Sequence, residues 1–195
     1  MKPFDRARAE AAVGELLAAL GFDASTPELV DTPARVAQAY GEELLRGYQG
    51  DPADVIVSGS EPVLGTLPDA VVLDGIHVVT VCPHHLMIGE GVATVAYLPG
   101  SLLLGLGTVA RLVETVSRRL VLQESIAGQV VDALMLHAGA RGAFCRMTLR
   151  HACLRARGPE QHGAEATTFA GRGEFSDLRV VALNLQREQL FRDQP

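Results

Sequence analysis

The sequence contains no tryptophan, only three cysteines and no long uninterrupted apolar segment. Three cysteines are too few, and odd in number, for a disulfide framework, so we expect core residues, metal ligands or nucleophiles in a reducing compartment. No segment approaches the roughly 18 apolar residues of a membrane span, and the charged N-terminus MKPFDRARAE lacks the apolar run of a signal peptide. These absences predict a cytoplasmic protein with no membrane partner.

Positive charge is also scarce. The chain has 17 basic and 23 acidic residues, a formal net charge of -6, and no long basic run. This balance argues against nucleic acid as a principal partner, so we expect a small substrate. With 195 residues and 48% hydrophobic content, the chain is long enough for a real core, and we predict one domain over residues 1–195.

The N-terminal quarter of the sequence has helical patterns. DRARAEAAVGELLAALG predicts an amphipathic helix with Asp5 as its N-cap and Gly21 as its C-terminal stop. DTPARVAQAYGEELLRGY predicts a second helix, with Thr32 as cap and Pro33 in the first turn. The passage GDPADVIVSGSEPVLGTLPD, rich in Gly and Pro, predicts a connection with one short strand.

Strand patterns begin near residue 70. AVVLDGIHVVTV and GVATVAYLP are short, β-branched and bounded by Gly and Pro, as hairpin strands are. Residues 108–137 have helical periodicity but far exceed the mean helix length of about 11–12 residues, so a break is expected between Arg118 and Leu122. Alternation in FCRMTLRHACLRARG predicts a strand with one face formed by Cys145, Met147, Leu149, His151 and Cys153. This order of elements predicts the α+β class.

The segment VCPHHLMIGEG, residues 81–91, places three candidate metal ligands within four residues. Cys82 and His85 have a turn-compatible spacing, and with the distant Cys153 they would make a Cys₂His set, a known form of catalytic zinc site. Each residue alone also has a structural explanation, because cysteine is often buried and a lone histidine more often packs than reacts. Spacing therefore leaves both interpretations open. The adjacent His84 is harder to explain by packing, since neighbours in an extended chain face opposite ways.

The position of Glu124 on its predicted helix also has two interpretations. On an unbroken helix it would share the apolar stripe of Leu120 and Ala127, where a carboxylate without a partner is costly. If the helix breaks near Leu120, Glu124 lies in an exposed first turn, where the helix dipole favours an acidic residue. The pattern alone favours the second interpretation.

Four segments between Asp31 and Gly158 resemble, in order, motifs of the GTP cyclohydrolase I family. They are the N-terminal signature DTPARVAQAYGEELLRGYQGDPADV, the zinc-histidine segment VCPHHLMIGEGVATVAYLPG, the helical pair LLGLGTVARLVETVSRRLVLQESIAGQVVDAL and the strand segment LRHACLRARG. A weaker match continues in ATTFAGRGEF. Several motifs in family order are far more specific than one motif.

The resemblance implies a zinc site at Cys82, His85 and Cys153, with His84 and His151 as proton-transfer groups. In the family, hydrolysis at C8 opens the imidazole ring of GTP and releases formate. The ribose chain then rearranges and closes onto the base to give 7,8-dihydroneopterin triphosphate, a precursor in pteridine and tetrahydrofolate biosynthesis. Zinc would lower the pKa of a water molecule towards ~7, and histidine, with a pKa near ~6.5, can transfer protons at the same pH.

The resemblance also implies that Gln123 and Glu124 bind guanine and that Arg111 and Arg157 bind phosphate. A carboxylate can accept two hydrogen bonds, from the N1–H and the 2-amino group of guanine. Cys145 matches no family role and is predicted to be a core residue.

The sequence departs from the family at the phosphate end. Where the family usually reads Gly-Leu-Ser-Lys, this chain reads GLGT, so Gly107 replaces a serine and Thr108 replaces a phosphate-binding lysine. Other basic residues, such as Arg155 or Arg172, could substitute. Two alternatives therefore stay open: a zinc-dependent ring-opening enzyme for a guanine derivative with fewer phosphates, and a non-catalytic paralogue.

The resemblance further implies the tunnelling fold, an antiparallel sheet with two helices packed on one face. Residues 1–50 would form an N-terminal helical extension and residues 70–195 the core. In the family, sheets of neighbouring subunits join into a barrel, usually a decamer of two pentamers with active sites between subunits. We expect a cyclic homo-oligomer, because a neighbouring strand satisfies an open sheet edge.

Overall fold

The computed structural model describes residues 3–177, in which helices and strands are mixed along the chain. Its helices are α1 (Arg6–Ala19), α2 (Thr32–Gln38), α3 (Pro52–Ser58), α4 (Leu106–Ser117), α5 (Gln123–His137) and α6 (Ala152–Arg155), with a π-helix at Ala39–Leu44 and a 3-10 helix at Arg46–Gln49. Its strands are β1 (Ser60–Pro62), β2 (Val71–Val81), β3 (Ile88–Leu98), β4 (Leu102–Leu104), β5 (Gly142–His151) and β6 (Ala166–Gly173). Residues 178–195 of the predicted core lie outside this description.

The centre of the fold is a four-stranded antiparallel sheet in the order β2-β3-β5-β6. Helices α4 and α5 pack on one face, and the core lies between them and the sheet. On β5, Cys145, Met147 and Leu149 are fully buried against the helices, whereas Arg150 is exposed. The predicted α+β class and the two helices on one sheet face are confirmed.

The helix break predicted within residues 108–137 is also confirmed. Helix α4 ends at Ser117 and α5 begins at Gln123. Glu124 consequently lies in the exposed first turn of α5, as the second interpretation of its position requires. A carboxylate there is stabilised by the positive end of the helix dipole.

Of the two helix N-caps predicted in the N-terminal segment, one is confirmed and the other is wrong. The side chain of Asp5 accepts a hydrogen bond from the backbone N–H of Arg8 at 3.1 Å, and Gly21 follows α1 with φ of 85°. The prediction of Thr32 as cap was wrong, because α2 begins at Thr32 and Asp31 takes the cap position. The carboxylate of Asp31 pairs with Arg35 at 2.8 Å and caps no backbone N–H.

Two further predictions need correction. The passage after the second helix contains α3 as well as the short strand β1, since Asp51 caps Ala53 N–H at 2.8 Å and Pro52 occupies the first helical position. Cys153 does not continue the β5 face, because β5 ends at His151 and Cys153 lies on the helical turn α6. That turn redirects the chain towards the loop after β2.

Helix α1 forms as predicted, but some apolar side chains in and just after it are exposed among residues 3–177. Leu16 is 57% exposed and Leu20 is 63% exposed, and no residue of α1 is buried. The helix packs mainly against α2. Among residues 3–177, no helix is both long and apolar enough to cross a bilayer.

Candidate metal and catalytic site

A tight loop after β2 presents the first two candidate ligands. The backbone N–H of Cys82 donates to the carbonyl of Met87 at 2.9 Å, and Leu86 N–H donates to the carbonyl of Cys82 at 2.9 Å. Leu86 has φ of 55°, in the left-handed region that a leucine rarely adopts. The hydroxyl of Tyr40 donates to the carbonyl of Leu86 at 2.6 Å, so the N-terminal extension holds this loop closed.

The closed loop and the α6 turn bring Cys82, His85 and Cys153 together. Their potential ligand atoms all lie within 4.8 Å of one another. In a tetrahedral zinc site with Zn–S of about 2.3 Å and Zn–N of about 2.0 Å, such atoms lie about 3.5–3.8 Å apart. The three side chains therefore form a cluster that can hold a metal ion with small side-chain movements.

The chemistry of this donor set also fits a cation. Desolvation raises the pKa of the Cys153 thiol, and the neighbouring Cys82 raises it further. Two thiolates side by side repel each other unless a positive charge lies between them. By contrast, Cys145 is fully buried in the core, where burial raises the pKa of its thiol to about 12. Cys82 and Cys153 therefore belong to the candidate metal site, whereas Cys145 belongs to the core.

Gln123 orients the imidazole of His151. The amide of Gln123, which is only 4% exposed, donates to the carbonyls of Ala166 at 2.7 Å and Met147 at 3.4 Å. Its Oε1 consequently faces His151 Nε2, at 2.6 Å. Nε2 must then carry the hydrogen, which leaves the lone pair of the neutral ring on Nδ1. Gln123 was predicted as a guanine contact, and its whole amide is engaged within the protein.

The backbone of β3 makes room for the same imidazole. Gly89 pairs with His151 across the sheet, and a Cβ at Gly89 would lie 2.7 Å from His151 Nδ1. Burial lowers the pKa of His151, while the nearby Glu124 carboxylate opposes that change. Glu124 is thus close enough to His151 to act on it electrostatically, so these two predicted site residues share one region.

Arg157 lies against the candidate ligand His85. Its guanidinium donates to His85 Nε2 at 2.8 Å. A metal ion on Nε2 would replace this donor, and a metal ion on Nδ1 would leave a hydrogen on Nε2 that repels it. In either case metal ligation releases Arg157 from His85.

The remaining predicted residues lie further from the cluster. His84 is exposed beside His85, with ring centroids 6.3 Å apart. Arg111 lies on α4 and lines a cavity whose lining includes none of the three candidate ligands. Sequence reasoning missed Tyr40 and Gly89: a glycine inside a strand does signal close approach of another group, whereas nothing local marks the partner of Tyr40.

The chain is similar in sequence to known proteins. The family model for GTP cyclohydrolase I matches residues 9–187. GTP cyclohydrolase 1 of Leifsonia xyli is 44% identical over 177 residues, covering 91% of this chain and 92% of the relative. GTP cyclohydrolase 1 of Mycolicibacterium vanbaalenii is 41% identical over 187 residues, covering 93% and 91%. The apo structure of an archaeosine synthase QueF-Like covers 55% of this chain at 18% identity, with a TM-score of 0.46.

The fold and the clustered side chains are those of an α+β enzyme with a candidate metal centre. The chain belongs to the GTP cyclohydrolase I family, an enzyme family with the tunnelling fold. The family and fold expected from the four sequence motifs are therefore confirmed.

Proposed function

We propose that this protein is a zinc-dependent GTP cyclohydrolase I, which opens the guanine imidazole ring at C8, releases formate and forms 7,8-dihydroneopterin triphosphate. The observation that supports this most is the convergence of Cys82, His85 and Cys153 beside an oriented His151. A zinc ion held by the three ligands would act as a Lewis acid and supply hydroxide near neutral pH. The relatives' shared name supports the same reaction.

The protein side chains would bind the base and move protons. The carboxylate of Glu124 would accept hydrogen bonds from the guanine N1–H and 2-amino group, because it is exposed and free to face a ligand. His151 would accept or return a proton at Nδ1, the nitrogen that Gln123 leaves unprotonated. The exposed His84 is a second proton-transfer group, for a step nearer to solvent.

The phosphate end supports a second candidate function, ring opening of a guanine derivative with fewer phosphates. Gly107 carries no side chain, and a Cβ there would meet open space. Thr108 is 2% exposed and donates to the carbonyl of Gly59 at 2.9 Å, so it faces the protein interior. Gly107 therefore offers no hydroxyl in place of the family's serine, and Thr108 offers no cation in place of the family's lysine. Loss of the family's serine at position 107 would favour ring opening without rearrangement.

We also propose that the enzyme is a cyclic homo-oligomer in the cytoplasm, in the form of two stacked pentamers. Both outer strands of the sheet, β2 and β6, have one edge unpaired within residues 3–177. Such edges are available for strand pairing with another copy. The single domain, with an N-terminal extension over residues 1–50, remains part of this proposal.

The function is tested by giving the zinc-loaded protein GTP, GDP, GMP and guanosine and measuring formate and pteridine fluorescence separately. Formate and pteridine in equal amounts from GTP alone are expected for the proposed activity. Formate without pteridine, or equal turnover of GMP, would favour the second candidate. Absence of formate from every substrate would contradict both and favour a non-catalytic role.

The metal site is tested with single substitutions of its ligands. Cys82→Ala, His85→Ala and Cys153→Ala should each remove the metal, of which about one ion per chain is expected, because three ligands leave little redundancy. The matched control is Cys145→Ala, whose thiol lies in the core. Metal analysis and formate release are measured on all four variants. Full metal content in the three ligand variants would refute the site.

A further inference from the structure

Arg157 lies in a closed loop that follows the candidate ligand Cys153. The backbone N–H of Gln161 donates to the carbonyl of Leu154 at 3.0 Å, which closes this loop around residue 157. Gly158, the next residue, has φ of 62°, a left-handed conformation that suits a tight turn. The backbone therefore fixes Arg157 close to the turn that carries Cys153.

The guanidinium of Arg157 connects the two segments that carry the candidate ligands. Its Nη1 donates to His85 Nε2 at 2.8 Å, across a sequence separation of 72 residues. Its positive charge also acts on Cys153. Desolvation and the neighbouring Cys82 raise the pKa of the Cys153 thiol, and Arg157 opposes that rise. One guanidinium thus interacts with two of the three candidate ligands, where a cation offsets negative charge on sulfur.

The contact between Arg157 and His85 excludes ligation of a metal ion by the same imidazole. A metal ion on Nε2 takes the lone pair that accepts from Arg157, and a metal ion on Nδ1 leaves Nε2 with a hydrogen and no lone pair. A contact that forms only in metal-free protein stabilises that form. The apparent metal affinity falls with the fraction of protein in which His85 is free to bind.

We propose that Arg157 competes with the metal ion for His85 and thereby sets the affinity of the metal site. In metal-free protein the guanidinium would hold His85 beside Cys153, and metal binding would replace the hydrogen bond by a metal–imidazole bond. Arg157 and His85 are both exposed, so the released guanidinium can turn into solvent. The proposal rests on the metal site of the proposed function, and not on the reaction at that site.

Zinc affinity is measured on the full-length protein by chelator competition, and cobalt absorption bands report whether thiolates hold the metal. Arg157→Gln should bind zinc roughly 2–10-fold more tightly than wild type, the range that loss of one competing hydrogen bond corresponds to. Arg157→Lys keeps the charge but not the planar donor group, and its affinity should lie between the two. Weaker zinc binding by Arg157→Gln would overturn the proposal and show that Arg157 supports the metal site from outside.

The matched control is Arg155→Gln, which removes the same charge two residues away. The Arg155 side chain donates to the carbonyl of His162 at 2.9 Å and not to His85. Its zinc affinity should equal that of wild type. Equal gains in Arg155→Gln and Arg157→Gln would assign the effect to charge alone and overturn the competition, as would an unchanged affinity in Arg157→Gln.

Nitrogen NMR of the histidine rings tests the contact directly in metal-free protein in mildly alkaline buffer. While Nε2 of His85 accepts from Arg157, the neutral ring carries its hydrogen on Nδ1. His85 should therefore be protonated at Nδ1 in wild type and mixed between the two nitrogens in Arg157→Gln. The same distribution in both proteins would overturn the proposal.

Formate release from GTP distinguishes failure of this proposal from failure of the proposed function. Tighter zinc binding by Arg157→Gln, where the zinc-loaded wild type releases no formate, would leave the competition standing and overturn the function. Unchanged zinc affinity in Arg157→Gln, where the wild type does release formate, would overturn the competition and leave the function standing.

Discussion

Gln123 lies beside His151 with both ends of its amide engaged, which changes what the residue can do in catalysis. A side chain that recognises guanine needs a free donor or acceptor, and Gln123 directs its donors to two backbone carbonyls and its acceptor to the imidazole. Glu124, one residue later, is exposed and keeps that freedom. We interpret the pair as a positioning residue followed by a base-binding residue.

Substitution of Gln123 should therefore affect turnover more than metal binding. In Gln123→Leu, His151 loses the acceptor that holds the hydrogen on Nε2, so we expect kcat for formate release to fall about 10–100-fold. Zinc content should stay at the wild-type level. Nitrogen NMR of the histidine rings reports the tautomer directly, and His151 should be protonated at Nε2 in wild type and mixed in the variant.

The matched control for this prediction is Gln129→Leu, an exposed position on the same helix. It should change neither the His151 spectrum nor kcat. A loss of guanine affinity in Gln123→Leu with an unchanged His151 tautomer would instead support the original expectation of a direct guanine contact.

At the scale of elements, the π-helix at Ala39–Leu44 contacts the loop after β2 that carries the candidate ligands Cys82 and His85. Tyr40 projects from that π-helix, and its hydroxyl donates to the carbonyl of Leu86 in the loop. The loop residue that receives this bond is also the one with the left-handed backbone. The N-terminal extension thus stabilises a strained conformation that brings Cys82 and His85 together.

Removing this contact should weaken metal binding without removing a ligand. Tyr40→Phe deletes one hydrogen bond, which typically costs about 0.5–1.5 kcal/mol, so we expect zinc affinity to fall several-fold. Chelator competition measures this affinity. Tyr48→Phe is the control, since it also removes a tyrosine hydroxyl but the ring of Tyr48 packs under the guanidinium of Arg119. Equal zinc affinity in both variants would mean that the loop closes without Tyr40.

For the whole molecule, the proposed homo-oligomer predicts that the exposed apolar side chains of Leu16, in α1, and Leu20, just after it, contact another copy of the chain. Leu16 and Leu20 lie one helical turn apart on the same face and are each more than half exposed. Ala18 lies on the opposite face. Because none of these side chains belongs to the core, charges introduced here should change assembly rather than folding.

Wild-type protein should therefore sediment as a ring-based oligomer, and Leu16→Glu/Leu20→Glu should sediment as a smaller assembly with unchanged helix content. Ala18→Glu should behave as wild type. Sedimentation velocity and circular dichroism measure the two properties. A monomeric wild type would contradict the oligomer, and an unchanged mass in the double variant would show that α1 lies outside the subunit contacts.

The sequence by itself determined the features that depend on local periodicity and residue chemistry. The unusual length of the helical pattern predicted the break between α4 and α5, and that break explains why Glu124 is exposed. The spacing of Cys82 and His85 left a metal site as one of two interpretations, and the motif order predicted the family and, through that resemblance, the zinc ligands. The α3 helix was missed although Asp51 and Pro52 carry its start signals.

Only the tertiary structure decided which distant residues meet. The turn α6, and not a continued strand, brings Cys153 to Cys82, and packing of α5 on β5 and β6 commits Gln123 to His151. The union of Arg46, Arg111 and Arg118 in one cavity likewise depends on how the N-terminal segment lies against α4. Local patterns cannot encode such contacts, because each depends on the relative placement of elements far apart in the chain.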